Sequence, residues 1–413
     1  MIYIACVLYM IMPTGALSYI DRTIYGEWAG KPGDKITEAL NLLAIGVSLF
    51  LYWRGSHRLR SPRFNRVLPL AAAGLLVTSV LWSVAPATTI TRSIAYFFLV
   101  VGAIGIAGFC EPDQVMRLTA LIGGFSAAIS LILPDAAAAA VGMFRGPFPG
   151  KNQLGQAMAI GVLAGLHGMR VRGRGRLLYI AVTALCTTTA FLSKSATSLL
   201  TIITFFLLHI IATLYIKGGI RRMIGICLGM FVVAAFIPLM MNIDLIYSLL
   251  DKDPTLSGRT EFWPYIIDYI EQRPLLGWGF AAFWMSNPLG PLGVNLNEAH
   301  NGMLQLLLDI GVVGTAFFLF LWMRNLIMAV KCTNGPAKEI GVSALLLLLG
   351  ILLIGVSEQV LTVADEVTAQ FFLLGFMCEK ELWLARQARS SVAFRSGRMR
   401  LGEFGAPREE DAA

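Results

Sequence analysis

LLYIAVTALCTTTAFLSKSATSLLTIITFFLLHIIATLYI, residues 177–216, is a run of 40 residues whose only charged side chain is Lys194. A hydrocarbon core about 30 Å thick is crossed by roughly 20 apolar residues in a helix. The run is therefore two spans long, and it reads as a tight hairpin turning at Ser193-Lys194-Ser195. That single stretch puts the chain in the bilayer.

The rest of the sequence agrees. Of 413 residues, 56% are hydrophobic and 14% charged, and mean hydropathy is +0.70; soluble domains carry about a quarter charged residues. Working outward from the hairpin, apolar segments fall at 2–20, 36–53, 67–84, 93–110, 116–134, 153–169, 177–193, 196–216, 223–241, 302–323, 340–357 and 366–385. The expected fold is an all-α integral membrane protein with about twelve transmembrane helices. One large extracytoplasmic loop containing short helices interrupts them. The organisation is then helices 1–9 over residues 1–241, the loop over 242–300, helices 10–12 over 301–385, and a basic tail over 386–413. No positive charge precedes the first apolar run, so it reads as a retained helix rather than a cleaved signal.

The formal net charge is +8. The arginines are interleaved with membrane segments rather than with aromatics on a soluble face, which excludes a nucleic-acid-binding class. Under a twelve-span layout, 23 of the 33 lysines and arginines fall on the side that also carries the C-terminal tail. The positive-inside rule makes that side cytoplasmic. Both termini are then cytoplasmic, and residues 242–300 lie outside. Six scattered cysteines without CxxC or Cys/His spacing read as small buried side chains, not a metal site.

The few cations left on the outer side need a reason. Arg145, Lys151 and Asn152 lie in Phe144-Arg145-Gly146-Pro147-Phe148-Pro149-Gly150-Lys151-Asn152-Gln153-Leu154-Gly155, which opens the sixth helix. A helix N-terminus beside glycines and a lysine suits an anion, and equally a plain loop with a snorkelling lysine. Lys194 sits among Thr187, Thr188, Thr189, Ser193, Ser195, Thr197 and Ser198, a hydroxyl-rich end that fits a hydrated ligand or ordinary helix packing. In the long loop, Arg259 precedes Trp263, Ile266, Ile267 and Ile270, a helical stripe suited to lying on the outer interface. Arg273-Pro274 ends that helix before Gly277-Trp278-Gly279-Phe280. His300 is the one histidine of four that stands on the outer side at a helix start, and Asn301, Gln305 and Asp309 follow as a polar stripe expected to face a cavity. A fixed set of cations with one histidine can neutralise a lipid-linked phosphate and accept a proton from a hydroxyl. No DxD or clustered-carboxylate spacing marks a divalent-metal site, and no cofactor is expected.

Gly258-Arg259-Thr260-Glu261-Phe262-Trp263, Arg273-Pro274-Leu275-Leu276-Gly277-Trp278-Gly279, Ala299-His300-Asn301-Gly302-Met303-Leu304-Gln305 and Asp309-Ile310-Gly311 together resemble the O-antigen ligase and Wzy-type polysaccharide polymerase superfamily of bacterial envelopes. Gly150-Lys151-Asn152-Gln153-Leu154-Gly155 and Ser193-Lys194-Ser195 resemble further pieces of it, and the branch is that of succinoglycan-type exopolysaccharide polymerases. The resemblance implies a metal-independent glycosyltransferase of the bacterial inner membrane with an undecaprenyl-pyrophosphate-linked saccharide donor. The acceptor is a saccharide or lipid A core, membrane lipids surround the chain, and the class leaves room for a chain-length regulator as a further partner. The family's loop arginine matches Arg259 and its histidine matches His300, the two expected catalytic residues. Lys194 stands where the family has a basic residue in a Ser-Arg-Ser-like position, keeping the charge but losing the two-pronged fork. Lys194, Lys151, Asn152, Arg145, Arg273 and Asn301 form the expected substrate-binding set. A ligase that passes a finished glycan to lipid A core is the alternative within the family. A lipid-linked-saccharide flippase is the alternative outside it, set against by charges at the outer mouths rather than the bilayer midplane.

Overall fold

The structure, a computed structural model, describes residues 2–11, 35–56, 63–133, 144–170, 175–228, 259–286, 289–290, 296–335 and 337–403. The side chains of residues 2, 11, 35–38, 63–65, 259–260 and 389–403 are outside that description. Every long element among the described residues is a helix. In chain order these are α1 (Ile2–Ile11), α2 (Lys35–Gly55), α3 (Arg63–Thr78), α4 (Pro86–Phe109), α5 (Pro112–Ile132), α6 (Lys151–Gly168), α7 (Gly175–Ser193), α8 (Ala196–Lys217), α9 (Arg259–Gln272), α10 (Gly302–Thr333), α11 (Lys338–Gly355) and α12 (Glu366–Glu403). Six of them, α4, α5, α7, α8, α10 and α11, are long and apolar enough to cross a membrane. The chain is an all-α integral membrane protein.

The helices begin where local chemistry starts them, which is not always where hydropathy rises. α4 opens at Pro86, seven residues ahead of its expected start, because proline at N1 starts a helix through the polar Thr88, Thr89, Thr91 and Arg92. α5 opens at Pro112 behind a capping box formed by Glu111 and Gln114. α10 continues to Thr333 and α12 to Glu403, well past the apolar limits at 323 and 385. Residues 219–228 are helical, but most of the expected ninth span, the loop from 242 to 258 and the tail from 404 lie outside the described residues.

Small residues set the packing. α2 and α4 touch backbone to backbone: a Cβ on Gly105 would sit 2.4 Å from the Leu51 carbonyl carbon, and one on Gly108 would sit 2.1 Å from the Gly55 oxygen. In lipid, where apolar side chains gain little by leaving the surroundings, such close contact is what holds helices together. The most enclosed helix is α6, buried from Leu154 to Gly168 and packed by α5, α7, α8 and α11. It is rich in glycine and alanine and misses the hydropathy expected of a span. Surrounded by other helices, it meets protein rather than lipid.

Polar contacts gather at the two ends of the bundle. At one end, His167 bonds Ser343 and Asp113, Arg170 pairs with Glu339, Arg324 with Glu379 and Lys380 with Glu111. The start of α6, the α7–α8 turn and the approach to α10 meet at the other.

Candidate active site

The site is organised around a break in α10. Asn301 caps the helix, its side-chain oxygen accepting from Met303 N and Leu304 N at 3.0 Å each. The helix then breaks at Gly311, with φ 63° and ψ −170°. Residues 274–279 fill the gap. Trp278 N donates to Leu308 O (2.7 Å) and Gly279 N to Asp309 O (3.1 Å), while Val312 N and Val313 N donate to Pro274 O (2.8 Å) and Leu275 O (3.2 Å). Four backbone groups orphaned by the break are satisfied by the loop, as a buried backbone demands. The Pro-Leu-Leu-Gly-Trp-Gly and Asp-Ile-Gly pieces are two halves of one joint.

The loop packs on this joint through α9. Phe262, Ile266 and Ile270 are buried with Phe283, Trp284, Leu289, Ala299 and Leu308. This corrects the expectation that the α9 stripe lies on the membrane interface. Ile266 is fully enclosed in protein, and Ile267 stays about half exposed. Periodicity identified an apolar face; it carried no information on which apolar phase that face would meet.

The polar stripe below His300 is also spent inside the protein rather than facing a cavity. Gln305 Nε2 donates to Asp309 Oδ1 (3.0 Å), and its Oε1 accepts from Ala299 N (2.9 Å) and Trp284 Nε1 (3.1 Å). Ala299 O in turn accepts from Trp263 Nε1 at 3.1 Å. The residue before His300 is thus pinned on both sides. His300 itself adopts φ +48°, a left-handed backbone that costs a non-glycine residue about 1–2 kcal/mol.

That backbone turns the imidazole toward two carboxylates. Nδ1 lies 3.2 Å from Glu298 Oε1 and 3.8 Å from Glu358 Oε2 and is shielded from solvent, while the side chain keeps 24% exposure. Glu358, 4% exposed, is the hub: its Oε1 accepts from Asn152 Nδ2 at 2.7 Å. Its neighbours tie in the other elements. Ser357 Oγ is 2.5 Å from Thr197 Oγ1 at the start of α8, and Val356 O accepts from Asn301 Nδ2 at 3.3 Å. The α7–α8 turn packs on α6 where a Cβ on Gly155 would lie 2.4 Å from Ser198 Oγ.

The expected residues therefore separate. Asn152, His300 and Asn301 come together around residues 356–358. Lys151 is exposed in the first turn of α6, and Lys194 is exposed at the α7–α8 tip with φ +53°. Arg145 donates to Pro149 O (2.9 Å) in the loop leading to Lys151. Arg273 has a structural position: its guanidinium lies 4.3 Å over the Trp278 ring and donates to Trp82 O at 3.3 Å, while Trp82 Nε1 donates to Leu276 O at 2.9 Å. Arg259 opens α9, and its side chain lies outside the described residues.

Residues 181–319 match the O-Antigen ligase family. That segment, about a third of the chain, is what resembles the O-antigen ligase family. It contains the Lys194 turn, α9, the Pro274–Gly279 loop, His300 and the Gly311 break. Part of the chain is also 31% identical over 152 residues to "Exopolysaccharide production protein ExoQ" of Rhizobium meliloti (strain 1021), covering 34% of each protein. The chain thus spans about a third of the length of the curated relative it matches. Lys151, Asn152 and Glu358 lie outside the matched segment, yet Glu358 faces its histidine and is itself bonded by Asn152.

Glu298, His300 and Glu358 also offer one donor atom each within 4.8 Å of one another, a grouping that could hold a cation. Sequence spacing gave no hint of it, because Glu358 is 58 residues from His300. Chelation separates the two uses of these acids. If they orient the imidazole, EDTA leaves turnover unchanged; loss of turnover restored by Mg²⁺ or Mn²⁺ would make them a metal site.

Proposed function

We propose that the chain is a membrane glycosyltransferase that polymerises undecaprenyl-pyrophosphate-linked oligosaccharide repeats into exopolysaccharide. It works at the outer face of the inner membrane, with both termini cytoplasmic and about twelve spans. The observation that carries this reading is His300, its Nδ1 turned to Glu298 and Glu358, with Glu358 in turn bonded by Asn152, the neighbour of the exposed Lys151. The matched family segment and the ExoQ similarity support the chemistry class.

In this mechanism Glu298, 3.2 Å from Nδ1, accepts the Nδ1 proton in a hydrogen bond when substrate closes the site, so Nε2 is the free base, and Glu358 adds negative charge beside the ring. Nε2 accepts the proton of the acceptor hydroxyl as its oxygen attacks the anomeric carbon of the donor. The bond from that carbon to the pyrophosphate oxygen breaks, and undecaprenyl pyrophosphate leaves with the electron pair. Arg259, Lys151 and Lys194 hold the pyrophosphate and stabilise its growing charge, so no divalent metal is required. The imidazolium between two carboxylates releases its proton to solvent. A single displacement inverts the anomeric centre.

Glu358→Gln preserves the acceptor for Asn152 but removes the charge facing the ring. Turnover should fall at least about tenfold. A wild-type rate would remove Glu358 from the mechanism.

The description of the matched family favours a ligase as the second reading. A deletion strain separates the two. Loss of secreted polymer with intact lipopolysaccharide is the expected result, and rough lipopolysaccharide with normal secreted polymer would reassign the chain as a ligase.

A further inference from the structure

At the opposite end of α10 from His300, a groove of about 360 Å³ opens between α10 and α12. One wall is an apolar stripe: Phe320, Met323 and Ile327 recur at helical spacing and are each about half exposed, continuous with the lipid-facing surface of the bundle. The stripe ends on Lys331, and Trp383 and Arg386 face it from α12. Arg324 also lines the groove, but its charge is taken by Glu379, 2.6 Å away. An adjoining hollow of about 300 Å³ adds Glu381 and shares Lys331 and Arg386. Three cations against two carboxylates leave a net positive charge. Among the described residues, Lys331 and Arg386 have no ion-pair partner, and both are exposed.

We propose that this groove binds an anionic phospholipid, its phosphate between Lys331 and Arg386 and an acyl chain along Phe320, Met323 and Ile327. The combination matches a lipid and not a soluble anion. An apolar trough leads into a cationic end with Trp383 beside it, the mix of groups that favours a lipid headgroup. Lys331 supplies a point charge and Arg386 a fork able to hold two phosphate oxygens. The site is independent of the polymerase reading and stands at the other end of the bundle from it.

The test uses the purified full chain, delipidated in neutral detergent and titrated with phosphatidylglycerol, phosphatidylcholine and inorganic phosphate. Binding is read by native mass spectrometry and by melting temperature. Phosphatidylglycerol should be retained and raise the melting temperature, and neither phosphatidylcholine nor inorganic phosphate should do so. Lys331→Gln with Arg386→Gln should lower phosphatidylglycerol affinity about thirtyfold, the equivalent of about 1 kcal/mol per cation near a lipid phosphate. The pair Lys331→Arg with Arg386→Lys should keep it. In the wild type, which removes any question of a variant's folding, added salt should weaken phosphatidylglycerol alone. Equal retention of both lipids, a salt-insensitive affinity, or an equal effect of inorganic phosphate would overturn the proposal.

Discussion

His300→Ala leaves a protein that inserts and folds, while lipid-linked repeat units accumulate and polymer growth falls by about 10²- to 10⁴-fold. That is the range lost with a general base. The control is His300→Asn. Asparagine tolerates the left-handed backbone at this position better than alanine does, so it separates loss of the imidazole from loss of the +48° turn. Both variants should be equally inactive, with only the alanine variant carrying a small loss of stability. Because Gln305 and Trp263 pin Ala299 rather than His300 itself, the surrounding loop keeps its hydrogen bonds in either variant. A normal chain-length distribution from the asparagine variant would remove His300 from the chemistry.

Gly311→Ala has the largest expected effect on stability. A Cβ there would lie 2.3 Å from the Leu275 carbonyl carbon, at a φ of 63°. The neighbour that would have to move is backbone, itself bonded to Val313 N. Left-handed strain of about 1–2 kcal/mol and overpacking of about 1–3 kcal/mol give roughly 2–5 kcal/mol in all. Gly277→Ala meets the Leu308 oxygen at 2.5 Å with φ 68° and should behave alike. Gly74, in α3, is the contrast: nothing lies within 4 Å of its Cβ position. Alanine there should be neutral or stabilising by about 0.5–1 kcal/mol. Melting temperatures of the three variants in one detergent give the comparison, and equal melting of Gly311→Ala and Gly74→Ala would refute the joint between the loop and the broken helix.

Much of this was legible in the chain. The hairpin at Ser193-Lys194-Ser195 turns where its 40-residue length requires, and α7 and α8 occupy the expected stretches almost to the residue. What stayed hidden was of three kinds. Helix starts such as Pro86 depend on capping chemistry, which a hydropathy reading passes over. The contacts that fix Arg273 could not be read from its surroundings in the chain, because one of them is the Trp82 carbonyl 191 residues away. No spacing in the sequence links Glu358 to His300, 58 residues before it. Glu358 is selected by the fold, which brings the end of α11 against both Asn152 and the His300 turn. A cue did exist in the sequence: a glutamate just beyond an apolar helix is costly unless something cationic or polar meets it.

The most direct measurement is turnover by the purified chain in liposomes, supplied with defined undecaprenyl-pyrophosphate-linked repeat units and no ion gradient. The account predicts polymer that lengthens with time, released undecaprenyl pyrophosphate in step with each added repeat, no loss with EDTA, and none of this from His300→Asn. Donor units carried across the liposome membrane without any new glycosidic bond would contradict it.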